Sequence, residues 1–235
     1  MRRLVLASGN IHKLAELAGM IAAADLPIDV HAARELGPPP TIAEDQDSFV
    51  AHAALKARGI AKWLAGLGEP GDTLVLADDS GVCVDVLGGA PGVHSAVYAG
   101  PAADAAANNA ALIAALTQQG VDRSPAHYVC VLALRRVDGA PPAIPGADPA
   151  TDPDLALFTA HWHGEIRRER RGEAGFGYDP HFWIDTQVGQ VTSAELTPTE
   201  KNARSHRGQA VRALIAGLAG LAGLAGLAGL ADLAR

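Results

Sequence analysis

Apolar and polar positions along the chain alternate between two periods. Compact apolar runs at Leu4–Ala7, Ile28–Ala32, Thr73–Ala77, Val82–Leu87, Tyr128–Val137 and Phe158–Arg168 read as strands, and Phe182-Trp183-Ile184 continues the series. Between them lie stretches of helical period. His12 to Ala24 places Leu14, Leu17 and Ile21 on one face, and Ser48 is positioned to cap a helix from Phe49 to Leu67. Ala102 to Gln118 reads as an Ala-rich helix. Thr197-Pro198-Thr199-Glu200 is a capping pattern that opens another, beginning at Lys201-Asn202 and carrying Ser205-His206-Arg207. Strands interleaved with helices predict an α/β fold.

Two stretches break the pattern. Asp138 to Asp154 is crowded with Pro, Gly, Ala and Asp, but strand alternation resumes at Phe158, so an extended loop between two strands is expected rather than a linker. From Ala216 the chain becomes Gly-Leu-Ala repeated to about Leu230. A leucine every third residue drifts by roughly 60° per step around a helix, and each Gly weakens a helix by up to about 1 kcal/mol relative to Ala. Residues 1–215 are therefore expected to form a single domain, with 216–235 a low-complexity tail docked only over its first turns. The tail is too interrupted by Gly for a membrane anchor.

Composition narrows the classes. Of the 235 residues 49% are apolar and 4% aromatic, which suits tightly packed Ala-rich helices. A formal charge of −7 argues against a broad nucleic-acid surface and leaves room for a local phosphate pocket. Cys83 and Cys130 sit in apolar runs without metal-ligand spacing, so buried thiols are expected. The run after Met1-Arg2-Arg3 stops at Ser8, too short for an export signal or a span. A cytoplasmic protein with no nucleic-acid or membrane partner is the expectation.

Candidate chemistry gathers at Leu76-Ala77-Asp78-Asp79-Ser80-Gly81. An apolar run delivers two carboxylates to what reads as a turn at Ser80-Gly81, where an unpaired buried charge would be costly. A divalent metal or a proton transfer explains such acids; a solvated turn is the plainer alternative. Ser8-Gly9-Asn10-Ile11-His12-Lys13 joins a strand to a helix start, a geometry that offers backbone N–H groups to an anion, although an ordinary capped helix looks the same. The acidic patch Glu44, Asp45 and Asp47 either complements a helix dipole or adds a metal ligand. In Gly175-Phe176-Gly177-Tyr178-Asp179-Pro180, glycines flank an aromatic face that a ligand can approach closely. Lys201, His206 and Arg207 put donors close together. Arg167, Arg168, Arg170 and Arg171 form the one strongly basic cluster, expected as a solvated strand end.

As a set these motifs resemble the inosine/xanthosine triphosphate pyrophosphatases. The resemblance rests on Ser8-Gly9-Asn10, Lys13 and Glu16; on Leu76 to Gly81 continuing through Leu87-Gly88-Gly89-Ala90-Pro91-Gly92; on Gly175 to Pro180; and on Ala194-Glu195-Leu196, Glu200-Lys201-Asn202 and Ser205-His206-Arg207. It implies a long twisted mixed sheet flanked by helices, with two lobes and a central nucleotide-binding cleft, and a homodimer. It also implies Mg²⁺-dependent hydrolysis of ITP, dITP or XTP to the monophosphate and pyrophosphate. A pyrophosphatase for pyrimidine or modified triphosphates on the same fold is the alternative, as is a nucleotide-binding module without turnover.

Residue by residue, the resemblance makes Asp79 the general base and a metal ligand, with Glu44 a further ligand. Ser8, Gly9, Asn10, Ile11, His12 and Lys13 would cradle the triphosphate, with Lys56 neutralising phosphate oxygens. Ser80 would touch substrate, and Phe176, Gly177, Tyr178, Asp179, Lys201, His206 and Arg207 would recognise the base. One departure stands out. Where the family often has Glu-Asn-Ala before the helical Lys, this chain has Ala51-His52-Ala53, which removes an acid near the expected metal.

Overall fold

The structure is a computed structural model describing residues 2–43, 46–142, 144–148 and 152–221. Its first strand, β1 (Arg2–Ala7), is buried from Leu4 to Ala7, as a strand covered on both faces must be. It pairs in parallel with β2 (Ile28–Ala32) on one side and with β3 (Leu74–Val84) on the other. Parallel neighbours need crossovers, supplied by α1 (Ile11–Ala23) and α2 (Phe49–Gly66). The chain steps from β1 to β2 and then back past β1 to β3, so right-handed crossovers set α1 and α2 on opposite faces. Leu14, Leu17 and Ile21 are buried on α1, and Ala53, Ala57, Ile60 and Leu64 on α2.

The remaining elements are α3 (Ala105–Gln118), β4 (Arg123–Arg136), β5 (Ala156–Arg167), β6 (Phe182–Thr186), β7 (Gly189–Thr192), α4 (Pro198–Arg204) and α5 (His206–Leu221). The sheet order is β2-β1-β3-β4-β5-β6-β7, parallel at β2-β1-β3 and antiparallel at β5-β6-β7. The expected mixed sheet with flanking helices is therefore present. The chain divides into two compact units, and β3, β4 and β5 each run through both.

Unit 1 takes residues 1–79, 131–159 and 210–235. The loop after β4 belongs to it and joins two strands, as its composition predicts. Its acids are put to use: Asp154 accepts from Arg58 at 2.9 Å and pairs with Arg135, and Asp152 lies 2.8 Å from Arg58. In α5, Val211, Leu214, Ile215 and Leu218 are buried, so the helix is docked into the Gly-Leu-Ala repeat, whose remainder from 222 lies outside the described residues.

Unit 2 takes residues 80–130 and 160–209. Its core joins Val82 and Val84 of β3, Leu112 and Leu116 of α3, Tyr128, Trp162, Tyr178 and Phe182. The basic cluster here is not simply solvated. Arg167 and Arg171 lie 4.6 and 4.1 Å from the ring centre of Trp183, which is buried, because a weakly hydrated guanidinium gains by stacking on an aromatic.

Two boundaries differ from the sequence reading. β3 runs unbroken through Asp78-Asp79-Ser80-Gly81, where a turn was expected; pairing within the sheet overrides the turn preference of these residues. The expected single helix after Thr197 is two. The capping box forms, with Thr197 and Glu200 bonded reciprocally, but Ser205 adopts extended backbone and ends α4. Its Oγ then accepts from Gly208 N–H at 3.1 Å, which caps α5.

This elbow sets Lys201 on one helix and His206 and Arg207 on the next, and Gly208 permits it. A Cβ at position 208 would stand 1.8 Å from the carbonyl oxygen of Asn202. Gly208→Ala should therefore destabilise the protein by about 1–3 kcal/mol, as overpacking does. Urea denaturation measures this; an unchanged midpoint would show that the elbow adapts without cost.

Candidate active site

Unit 1 builds an acidic, lysine-matched centre where β1 ends beside the middle of β3. Ala7 is in register with Ala77, so Ser8-Gly9-Asn10 leaves β1 beside Asp78 of β3. Strand order reverses between these two strands, the place where open α/β sheets bind ligands. Asn10 caps α1, its Oδ1 accepting from Lys13 N–H at 3.2 Å, and Ser8 Oγ accepts from Asn10 N–H at 3.2 Å. The turn thus ends on a helix N-terminus, which suits an anion. Ile11 and His12 form the first residues of α1.

Asp78 and Asp79 are 3% and 5% exposed. Successive strand residues face opposite sides, so the two acids meet different helices. Asp78 Oδ2 lies 3.1 Å from Lys13 Nζ on α1, and Asp79 Oδ1 accepts from Lys56 Nζ on α2 at 2.8 Å. Among the described residues Asp79 Oδ2 has no hydrogen-bond partner, and it stands 3.4 Å from Nδ1 of His52, one helical turn before Lys56. Burial pushes the Asp79 carboxyl above its ordinary value of 3.8, against the pull of Lys56, Lys13 and His52.

The donor set fits a hard divalent cation. Among the described residues no three His, Cys, Asp or Glu side chains are grouped to hold a metal by themselves. Mg²⁺ does not require that, because it binds through one or two carboxylates together with substrate phosphates and water. Asp79 Oδ2, buried and without a hydrogen bond among the described residues, has a lone pair for it. Glu44, expected as a second ligand, lies outside the described residues.

Unit 2 builds a flat face ringed by donors. Phe176 carries Lys201 Nζ 4.7 Å from its ring centre and the Arg207 guanidinium carbon at 5.6 Å, and Arg207 donates to Ser80 Oγ at 2.9 Å. His206 is buried with its ring stacked on Tyr128, centres 4.6 Å apart and planes within 4°. Tyr178 and Asp179 hold the loop together. Tyr178 is buried and donates to the Ser95 carbonyl at 2.7 Å. Asp179 accepts from Phe176 N–H at 2.8 Å, Lys201 Nζ at 2.5 Å and Ser193 Oγ at 2.8 Å. With their side chains committed in this way, what these two residues present to a ligand is backbone. A Cβ at Gly175 would meet Asp179 Oδ2 at 2.1 Å, and Gly177 has positive φ.

Against this geometry the comparisons are specific. The model of the Ham1 family matches residues 4–217. The chain belongs to the Ham1 family. It is 44% identical over 211 residues to a dITP/XTP pyrophosphatase of Acinetobacter baumannii strain ACICU, covering 89% of this chain and 91% of the relative. It is 46% identical over 219 residues to one from Ralstonia nicotianae, covering 92% and 96%. Among solved structures, a HAM1 protein from Coxiella burnetii superposes with a TM-score of 0.75 at 39% identity, covering 92% of this chain and 97% of that one. A nucleoside-triphosphatase / dITP/XTP pyrophosphatase from Mycobacterium abscessus gives 0.63 at 34%, covering 90% and 97%.

Sequence reasoning missed three contributors in these surroundings: His52 beside Asp79, Tyr128 under His206, and Asn109 of α3, whose Nδ2 donates to the Gly177 carbonyl at 2.9 Å. His52 alone left a signal, since it precedes Lys56 by one helical turn.

The raised carboxyl of Asp79 has a thermodynamic consequence. Its protonated form is favoured by folding, so this contribution to stability is complete below about pH 3.8 and is lost as pH rises through the higher folded value. The stability of the metal-free protein relative to Asp79→Asn should therefore fall as pH rises through that window. Urea unfolding of both proteins over the pH series tests this; a relative stability that climbs with pH would mean that Lys56 outweighs burial.

Proposed function

We propose that this chain hydrolyses non-standard purine nucleoside triphosphates (ITP, dITP and XTP) to the monophosphate and pyrophosphate, clearing them from the pool used for nucleic-acid synthesis. The observation that carries the reading is the pair of buried carboxylates on β3, each matched to a lysine from a different helix, in a chain of the Ham1 family. The names of its relatives, dITP/XTP pyrophosphatases, supply the substrate class.

The roles follow from chemistry. Asp79, whose carboxyl burial makes more basic than an exposed one, takes a proton from the water that attacks the α-phosphorus. Lys13 and Lys56 turn from their carboxylates to phosphate oxygens, so that charge stays balanced as the triphosphate arrives. Backbone N–H groups of Ser8 to Lys13 at the start of α1 complete the anion cradle. Mg²⁺, which Asp79 would hold together with substrate phosphates, would supply positive charge against the negative charge that builds as the P–O bond to the leaving pyrophosphate breaks.

In unit 2, Lys201 and Arg207 have only donors to offer, and Phe176 offers a face for stacking. Donors satisfy the 6-keto oxygen of hypoxanthine or xanthine and are left unpaired by the 6-amino group of adenine, a mismatch that sites use for strong rejection. The homodimer implied by the family resemblance and the cytoplasmic location expected from the sequence belong to the same reading. Among the described residues no helix is long and apolar enough to cross a membrane.

Pyrophosphate release across a nucleotide panel, with and without Mg²⁺, tests this. ITP, dITP and XTP should be turned over at least about a hundredfold more efficiently than ATP, and only with a divalent cation. Faster turnover of dUTP, or ITP binding without pyrophosphate release, would overturn the assignment.

A further inference from the structure

Asp79 is approached by more than Lys56. His52 lies on the same face of α2 and is 1% exposed, and its two ring nitrogens have different surroundings. Nε2 accepts a hydrogen bond from the backbone N–H of Gln46 at 3.1 Å. Nδ1 faces Asp79 Oδ2 at 3.4 Å. A backbone N–H can only donate, so Nε2 must carry a lone pair, and the proton of the neutral ring then belongs on Nδ1. That places an N–H toward the oxygen of Asp79 that Lys56 does not hold.

We propose that His52 is a positioning residue for Asp79: Gln46 N–H fixes the ring with its proton on Nδ1, and Nδ1–H fixes the Asp79 carboxylate by its Oδ2. The proposal rests on the assignment of Asp79 as the base. In the ligand-free site Lys56 on Oδ1 and His52 beside Oδ2 set the plane of the carboxylate; once Lys56 turns to phosphate, His52 is the donor that keeps it, and so the direction in which its remaining lone pairs meet water. Both donors come from one rigid helix, one turn apart, which holds them more firmly than a loop would. At 3.4 Å the His52 contact is longer than a formed hydrogen bond, as catalytic contacts in ligand-free sites commonly are before substrate draws them in. The link also runs outward. Gln46 lies within the acidic segment before α2, so its backbone N–H sets the tautomer of a ring beside the base.

The test has a spectroscopic and a kinetic arm. In the metal-free ¹⁵N-histidine-labelled protein, at a pH where imidazole is neutral, long-range ¹H–¹⁵N correlation should show the His52 ring with a pyrrole-like Nδ1 and a pyridine-like Nε2. The signal is assigned by its loss in His52→Asn. His52→Leu, which keeps bulk and removes both ring contacts, should lower kcat about tenfold with KM within about twofold. His52→Asn should stay within about threefold of wild type, because its amide can both accept from Gln46 and donate to Asp79. Adding His52→Leu to Asp79→Asn should bring no further loss in kcat, since the two act as a unit. An Nε2–H tautomer overturns the proposal, as does a folded His52→Leu protein with wild-type kcat, or losses that multiply in the double variant. Full activity in Asp79→Asn would instead remove the base assignment and with it this role of His52, whatever the tautomer.

Discussion

The structure of unit 1 depends on keeping two adjacent carboxylates buried in the middle of a sheet. Each would cost several kcal/mol if left unpaired, roughly 3–5 kcal/mol for a buried pair broken at one partner. The strand solves this by alternation: Asp78 and Asp79 face opposite sides, and opposite crossovers bring one lysine to each. The arrangement requires β3 to lie beside β1, α1 and α2 to cover opposite faces, and α2 to be rich enough in alanine to pack close. Fold and site are thus set by one electrostatic constraint.

The same constraint leaves the acids ready for exchange. A lysine bound to a carboxylate is neutralised only locally; in the proposed reaction, phosphate oxygens arriving with a divalent cation would give lysine and carboxylate each a stronger partner. Burial holds the Asp79 carboxyl up while Lys56 draws it down, and in the proposed reaction a carboxylate raised by burial is the better proton acceptor. In unit 2 the logic is one of hydrogen-bond type. Lys201 is aimed by Asp179 and Arg207 is bonded to Ser80, so donors surround the Phe176 ring.

Much of this was legible in the sequence, and what was not has physical causes. Strand and helix periods placed most elements, the capping box at Thr197 formed, and the glycine-flanked Phe176 loop was evident from composition. Asp78-Asp79-Ser80-Gly81 was read as a turn because its residue types favour one locally; what holds it extended is its place beside β4 in the sheet and lysines 65 and 23 residues earlier in the chain, which no local window contains. Tyr178 was expected to recognise the base, yet it is buried and its hydroxyl reaches Ser95, 83 residues away. Ser205 was legible only as part of a helix, since its role as a double cap depends on Gly208 fitting against Asn202. His52 read as the loss of a familiar residue; only the fold shows it facing Asp79.

If Asp79 directs water at the α-phosphorus, the bond that breaks lies between that phosphorus and the bridging oxygen, and solvent oxygen ends in the nucleotide. Hydrolysis of ITP in H₂¹⁸O, with both products analysed by mass spectrometry, follows that atom. The label should appear in the monophosphate with pyrophosphate unlabelled; label in pyrophosphate would place the attack at another phosphorus and contradict the role given to Asp79.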